Sequence, residues 1–261
     1  MNQHLTGVAS SVSAHCNYEP FDTIGFAIEH GIRAIQLYLD QDLMSSPSKI
    51  DEIAQVTMNE GITVICHSPE AFNTKTVADQ IIRGVNRLLC YQKERRLVVH
   101  FDQDVSFQAM FELSSTLNKK GITPLLENSY KPDQETLLLD CFTKFNALFS
   151  MAQNQNLTIV PVIDIPRLFV AEIIERYDSL LLTKILLNTL ANHGIQPVLH
   201  LIDFTDYNQK RDSWCAVGKG VMPYTEIFSF LETIGIQPLL SILELEKKEH
   251  VIESFEWLAN R

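Results

Sequence analysis

The residues best suited to chemistry in this chain are histidines and carboxylates that stand where apolar runs give out. They are His67 in CHSPE, His100 in VVHFD, Glu127 in LLENS, Asp164 in VIDIP, His200 and Asp203 in LHLID, and Glu244 in ILELE. Imidazole and carboxylate are the common protein ligands of divalent metal ions, and side chains from separate segments can meet on one ion if the fold gathers them. Taken singly, each has a plainer reading: a strand-end histidine hydrogen-bonded near a rim, or an acid capping the next helix. Capping alone would use Ser, Thr or Asn as readily, so the repetition of ligand types carries the signal.

The elements that must position these residues are written in a repeated tripeptide, x-Gly-Ile, at Gly31-Ile32, Gly61-Ile62, Gly121-Ile122, Gly194-Ile195 and Gly235-Ile236. Each lies between an amphipathic stretch and an apolar run, where a left-handed glycine closes a helix and the chain turns into a strand. Buried parallel strands are predicted at 33–39, 62–67, 96–101, 122–127, 158–164, 196–203 and 237–244, with LTGVASSV near the start as an eighth. Helical spacing is predicted over 21–30, 49–60, 74–94, 106–119, 134–153, 167–192, 224–234 and 248–260. A doubly wound open sheet would alternate in the same way, but no Gly-rich phosphate loop follows the first strand. The expected fold is therefore α/β, a single-domain (β/α)8 TIM barrel over 1–261, whose catalytic groups project from the C-terminal ends of the strands.

With 261 residues, 46% hydrophobic and 20% charged, the chain suits one such barrel with a large core. No apolar run reaches the roughly 18 residues that cross a bilayer, and MNQHLTGVASS lacks the regions of a secretion signal, so a cytoplasmic protein without a membrane partner is expected. The five cysteines, Cys16, Cys66, Cys90, Cys141 and Cys215, show no CxxC spacing and are expected as buried thiols. A formal charge of −11 opposes a phosphate backbone. Lys93, Arg95, Arg96, Lys119 and Lys120 fall at helix ends, on the face away from the strand-end residues, so nucleic acid is not an expected partner. A homodimer is the commonest assembly for such a chain.

The ordered set His67, His100, Glu127, Asp164, His200 and Glu244, with TGVASSVSAH, HSPE, LLENS and the VGKG loop at 217–220, resembles the xylose isomerase-like barrel superfamily. That superfamily includes sugar isomerases, ketose epimerases, inosose dehydratases and the endonuclease IV family. Resemblance to the isomerases and epimerases implies one divalent ion held by Glu127, Asp164, His200 and Glu244. Three carboxylates and one imidazole suit Mn²⁺ or Mg²⁺, with Co²⁺ or Zn²⁺ as alternatives. It further implies a small sugar, sugar-phosphate or cyclitol substrate, an enediolate, and Glu127 and Glu244 as the pair that removes and returns a proton.

The endonuclease branch needs more ligands for three zinc ions, and two of its histidines are replaced, by Arg167 in Asp164-Ile-Pro-Arg167 and by Trp214 in Asp212-Ser-Trp214. The HPG motif of many relatives reads HFD here, which leaves the role of His100 open. Substrate-binding candidates are His67 and His100, Arg167 for the forked donors it offers a phosphate or carboxylate, Trp214 as a shield for a sugar ring, and Lys219 in a loop that could close over substrate. Each has an alternative: a structural or second-ion histidine at His67, a first-turn helix residue at Arg167, packing at Trp214, an exposed loop at Lys219. A barrel that keeps its shape but serves as a binding subunit is the remaining reading. Specificity would lie in loops 40–48, 128–133 and 204–217.

Overall fold

A computed structural model describes residues 5–69, 75–101, 106–128, 147–170, 174 and 177–261. Eight strands, β1 (Thr6–Ala9), β2 (Ala34–Tyr38), β3 (Thr63–His67), β4 (Arg95–Phe101), β5 (Ile122–Asn128), β6 (Val160–Asp164), β7 (Val198–Leu201) and β10 (Leu240–Leu243), pair in parallel. They close into a barrel in that order, with β10 returning to β1. Two short strands, β8 (Asp203–Phe204) and β9 (Trp214–Cys215), form a separate antiparallel pair after β7.

The repeated turn works as its sequence suggests. Gly31, Gly61, Gly121, Gly194 and Gly235 all have φ between +64° and +70°. Behind four of them the isoleucine N–H reaches back five residues, as Ile32 does to Ala27 and Ile195 to Leu190, which satisfies a helix-end carbonyl just before the strand begins.

Side chains alternate along a strand, so positions two apart share a face. Ala9, Ala34, Ile65, Val98, Leu125, Val162, Val198, Leu240 and Ile242 form an apolar cluster of their own, the filled interior of the barrel. Residues of the other parity, such as Leu37, Cys66, Leu97, Leu126, Ile163 and Leu199, join the larger core beneath the surrounding helices. Residues such as Leu88, Leu117, Leu187 and Ile227 meet that core from the helix side.

Three expectations need correction. Within the helix predicted over 167–192, Pro166–Leu168 is a 3₁₀ turn, Ile174 is helical and Ser179–Asn192 is a helix, with 171–173 and 175–176 outside the described residues. The last of these follows Asp178, whose carboxylate accepts the Leu181 N–H and caps it. The first strand stops at Ala9, and Ser10–Cys16 winds as a 3₁₀ segment. Cys16 and Cys90 are exposed, not buried, because they lie in helix-end segments outside the barrel wall. The predicted helix 134–153 is helical over 147–154; its earlier part, most of the 128–133 loop, Glu70 of HSPE, Asp102 of HFD and Cys141 lie outside the described residues. Among the described residues no helix is long and apolar enough to cross a membrane.

Candidate metal centre

Two positions beyond the apolar interior layer, and so on the same inward face, come Gln36, His67, His100, Glu127, Asp164, His200 and Glu244. Strand register sets them side by side: His100 is opposite Glu127 across β4 and β5, and Asp164 is opposite His200 across β6 and β7. Asn128 fastens β5 to β6 beyond their ladder. Its Oδ1 accepts the Asp164 N–H at 2.7 Å, and its Nδ2 donates to the Asp164 carbonyl at 3.1 Å.

Glu127, 1% exposed, is the hub. Its Oε2 lies 3.3 Å from His67 Nε2, 3.4 Å from His100 Nε2 and 3.6 Å from His200 Nδ1, while Oε1 lies 3.5 Å from Arg167 Nε. Burial alone would raise its pKa, but His200, His100 and His67 outweigh burial and hold the carboxyl well below the usual range. Asp164 is pushed up to about 6, chiefly by burial and further by Glu127 and Glu244, against the pull of Arg167. Arg167 donates from Nε to Asp164 Oδ2 at 2.5 Å and from its backbone N–H to Oδ1 at 3.3 Å. The 3₁₀ turn at Pro166–Leu168 carries this guanidinium back onto the carboxylates.

His200 is fully buried. Its Nε2 bonds Gln36 Oε1 at 3.0 Å. The other nitrogen, Nδ1, is 3.3 Å from Glu244 Oε1 but makes no hydrogen bond of proper geometry. Burial disfavours a charged ring, yet Glu244 and Glu127 override it and carry the His200 pKa to about 9. A buried nitrogen among carboxylates calls for a positive species, either a proton or a metal ion. Glu127, Asp164 and His200 offer ligand atoms that all lie within 4.8 Å of one another, and His67, His100 and Glu127 form a second such group sharing Glu127. Glu244 lies beside His200 on the more open side, outside that first group. The donor set and the orphaned Nδ1 therefore fit a divalent ion.

No protein-family model and no curated protein matches the sequence. Solved structures match over nearly its whole length. A D-tagatose 3-epimerase-like protein superposes with TM-score 0.67 at 18% identity, covering 98% of this chain and 96% of its own. D-psicose 3-epimerase from Clostridium cellulolyticum H10, solved with D-tagatose, gives 0.64 at 11%, covering 97% and 99%. IOLI protein with a bound zinc atom gives 0.66 at 13%, covering 98% and 94%. The chain has the xylose isomerase-like barrel fold.

Two residues suggested for substrate binding on this xylose isomerase-like barrel stand apart from the contacts of the cluster. Trp214 lies in β9, where its indole packs edge-on to Phe204 and donates to the Gln209 carbonyl at 3.4 Å. Lys219 is exposed, and its backbone N–H closes a turn on Ala216. Asp203, read from sequence as one more strand-end acid, is fully buried and accepts four backbone N–H groups, from Phe204, Gly218, Gly220 and Met222. Gln36 and Asn128 escaped the sequence reading because amides are poor metal ligands. For Gln36 a signal existed: it follows inward-facing Ala34 by two, as His67 follows Ile65.

Proposed function

We propose that this barrel is a divalent-metal-dependent isomerase or epimerase of a small sugar, sugar phosphate or cyclitol, with Glu127, Asp164, His200 and Glu244 holding the ion. The observation that carries the reading is the buried Nδ1 of His200, aimed at Glu127 and Glu244 without a hydrogen bond. When bound, such an ion supplies positive charge to the oxygens of the substrate and lowers the cost of an enediolate. Glu127 and Glu244 are then the paired carboxylates: one accepts the carbon-bound proton and the other returns it, on the opposite face for epimerisation or at the neighbouring carbon for isomerisation.

His67 and His100, flanking Glu127, contact substrate hydroxyls in this reading, and Trp214 and Lys219 belong to the loop that covers the sugar. Arg167 settles the charge. Glu127, Asp164 and Glu244 carry three negative charges, and a divalent ion with Arg167 carries three positive, so an anionic substituent such as phosphate meets no net repulsion. The neighbours that act on D-psicose or resemble D-tagatose epimerases support a sugar substrate. A nuclease is disfavoured, since Arg95 and Arg96 open β4 and so stand on the face opposite the cluster.

The ion pair of Arg167 with Asp164 supports a second reading, a barrel whose guanidinium has replaced the metal and which only binds. Elemental analysis of gently purified protein separates the two. One ion of Mn, Co, Mg or Zn per chain, lost in Glu127→Ala and His200→Ala, is the expected result. The metal-loaded protein should then exchange a carbon-bound proton of keto-sugars with solvent, and Glu127→Gln or Glu244→Gln should abolish that exchange with the fold intact. Wild-type protein that stays metal-free after reloading sinks the isomerase.

A further inference from the structure

Gln36 sits in β2 with 2% exposure, between the buried apolar Ala34, Ile35 and Leu37, where an unpaired amide would cost stability. Both ends of its side chain are spent on the candidate centre. Nε2 donates to Glu244 Oε1 at 2.8 Å, and Oε1 accepts from His200 Nε2 at 3.0 Å. The order is forced: an ionised carboxylate only accepts, so the NH₂ must face Glu244 and the carbonyl oxygen must face His200. Nε2 therefore carries the hydrogen. A neutral imidazole has one N–H, so Nδ1 keeps its lone pair on the side of Glu127 and Glu244.

We infer that Gln36 is a positioning residue that fixes the Nε2–H tautomer of His200 and the rotation of the Glu244 carboxylate, and so readies both to bind a divalent ion. The inference rests on the metal-centre reading for its purpose, but its geometry stands apart from that reading. Without the amide, the ring can place its hydrogen on Nδ1 and donate it to Glu244 or Glu127, which closes the ligand position. Outer partners of metal ligands typically carry a 10–100-fold effect on affinity.

The test compares wild type, Gln36→Leu and Gln36→Glu, each checked for folding by circular dichroism. Mn²⁺ affinity is measured by calorimetry, and the visible absorption of the Co²⁺-loaded proteins is recorded. Gln36→Leu should bind Mn²⁺ roughly 10–100-fold more weakly and change the Co²⁺ band. Gln36→Glu keeps an acceptor for His200 and should recover part of the loss. Wild-type affinity and an unchanged band in Gln36→Leu, or a Gln36→Glu variant no better than Gln36→Leu, overturn the inference. If wild type itself takes up neither ion, the metal-centre reading fails instead. Nitrogen NMR of the neutral ring at alkaline pH then decides the role of Gln36. The inference stands if His200 is Nε2–H in wild type and mixed in Gln36→Leu, and falls if the two match.

Discussion

His200 links the chemistry of the site to the stability of the chain. Its pKa rises from 6.5 to about 9 on folding, so the folded state holds the proton more tightly than the unfolded one. That contribution is complete below pH 6.5 and is lost as pH climbs from 6.5 through about 9. Scanning calorimetry of metal-free protein should show Tm falling across this window. Saturating Mn²⁺ should flatten the fall, because the ion takes the place of the proton at Nδ1. A metal-free profile flat over the same range would mean that Glu127 and Glu244 do not charge the ring. The sequence made the ligand types legible at this scale, since each follows an apolar interior residue by two. It could not separate His200 from Asp203 by type; the structure does, since β7 ends at Leu201 and Asp203 begins the separate β8–β9 pair.

At the scale of elements, the segment after β7 is tied by Asp203. One buried carboxylate gathers the N–H groups of Phe204, Gly218, Gly220 and Met222 and so sets the path of the VGKG loop beside the β8–β9 pair. Gly220 fits only without a side chain, since a Cβ there would sit 2.2 Å from Asp203 Oδ1 and 2.1 Å from the Phe204 carbonyl. Asp203→Ala should cost about 3 kcal/mol or more in urea unfolding, because it strands several donors away from water. A loss under about 1 kcal/mol would mean that water replaces the carboxylate. The β/α alternation was legible because helix and strand write different periods and glycine marks the seams. The β8–β9 pair was not, because two-residue strands are too short to show a period. The start of the helix at Ser179 was hidden for a related reason: apolar spacing runs on across Asp178, whose capping bond is a local event.

For the molecule as a whole, the carboxylates of the centre are drawn from β5, β6 and the end of β10, so an ion would join strands distant in the chain. Loading with Mn²⁺ at about 100 times Kd should stabilise the fold by ~2.7 kcal/mol. For a chain of this size that is a rise in Tm of roughly 5–10 °C, reversed by a chelator. A rise that persists in His200→Ala would place the ion elsewhere. The closed barrel could be read from length and repeat, whereas the ion pair of Arg167 with Asp164 could not, since it depends on how one 3₁₀ turn folds back.

The interior layer of Ala9, Ala34, Ile65, Val98, Leu125, Val162, Val198, Leu240 and Ile242 also governs traffic. It plugs the barrel below the polar layer with side chains that offer a hydrated ion no foothold. Among the described residues the polar layer is therefore closed from below, and an ion would come from the mouth, as would the sugar of the proposed function. In that function the ion would be seated before the sugar and released after it.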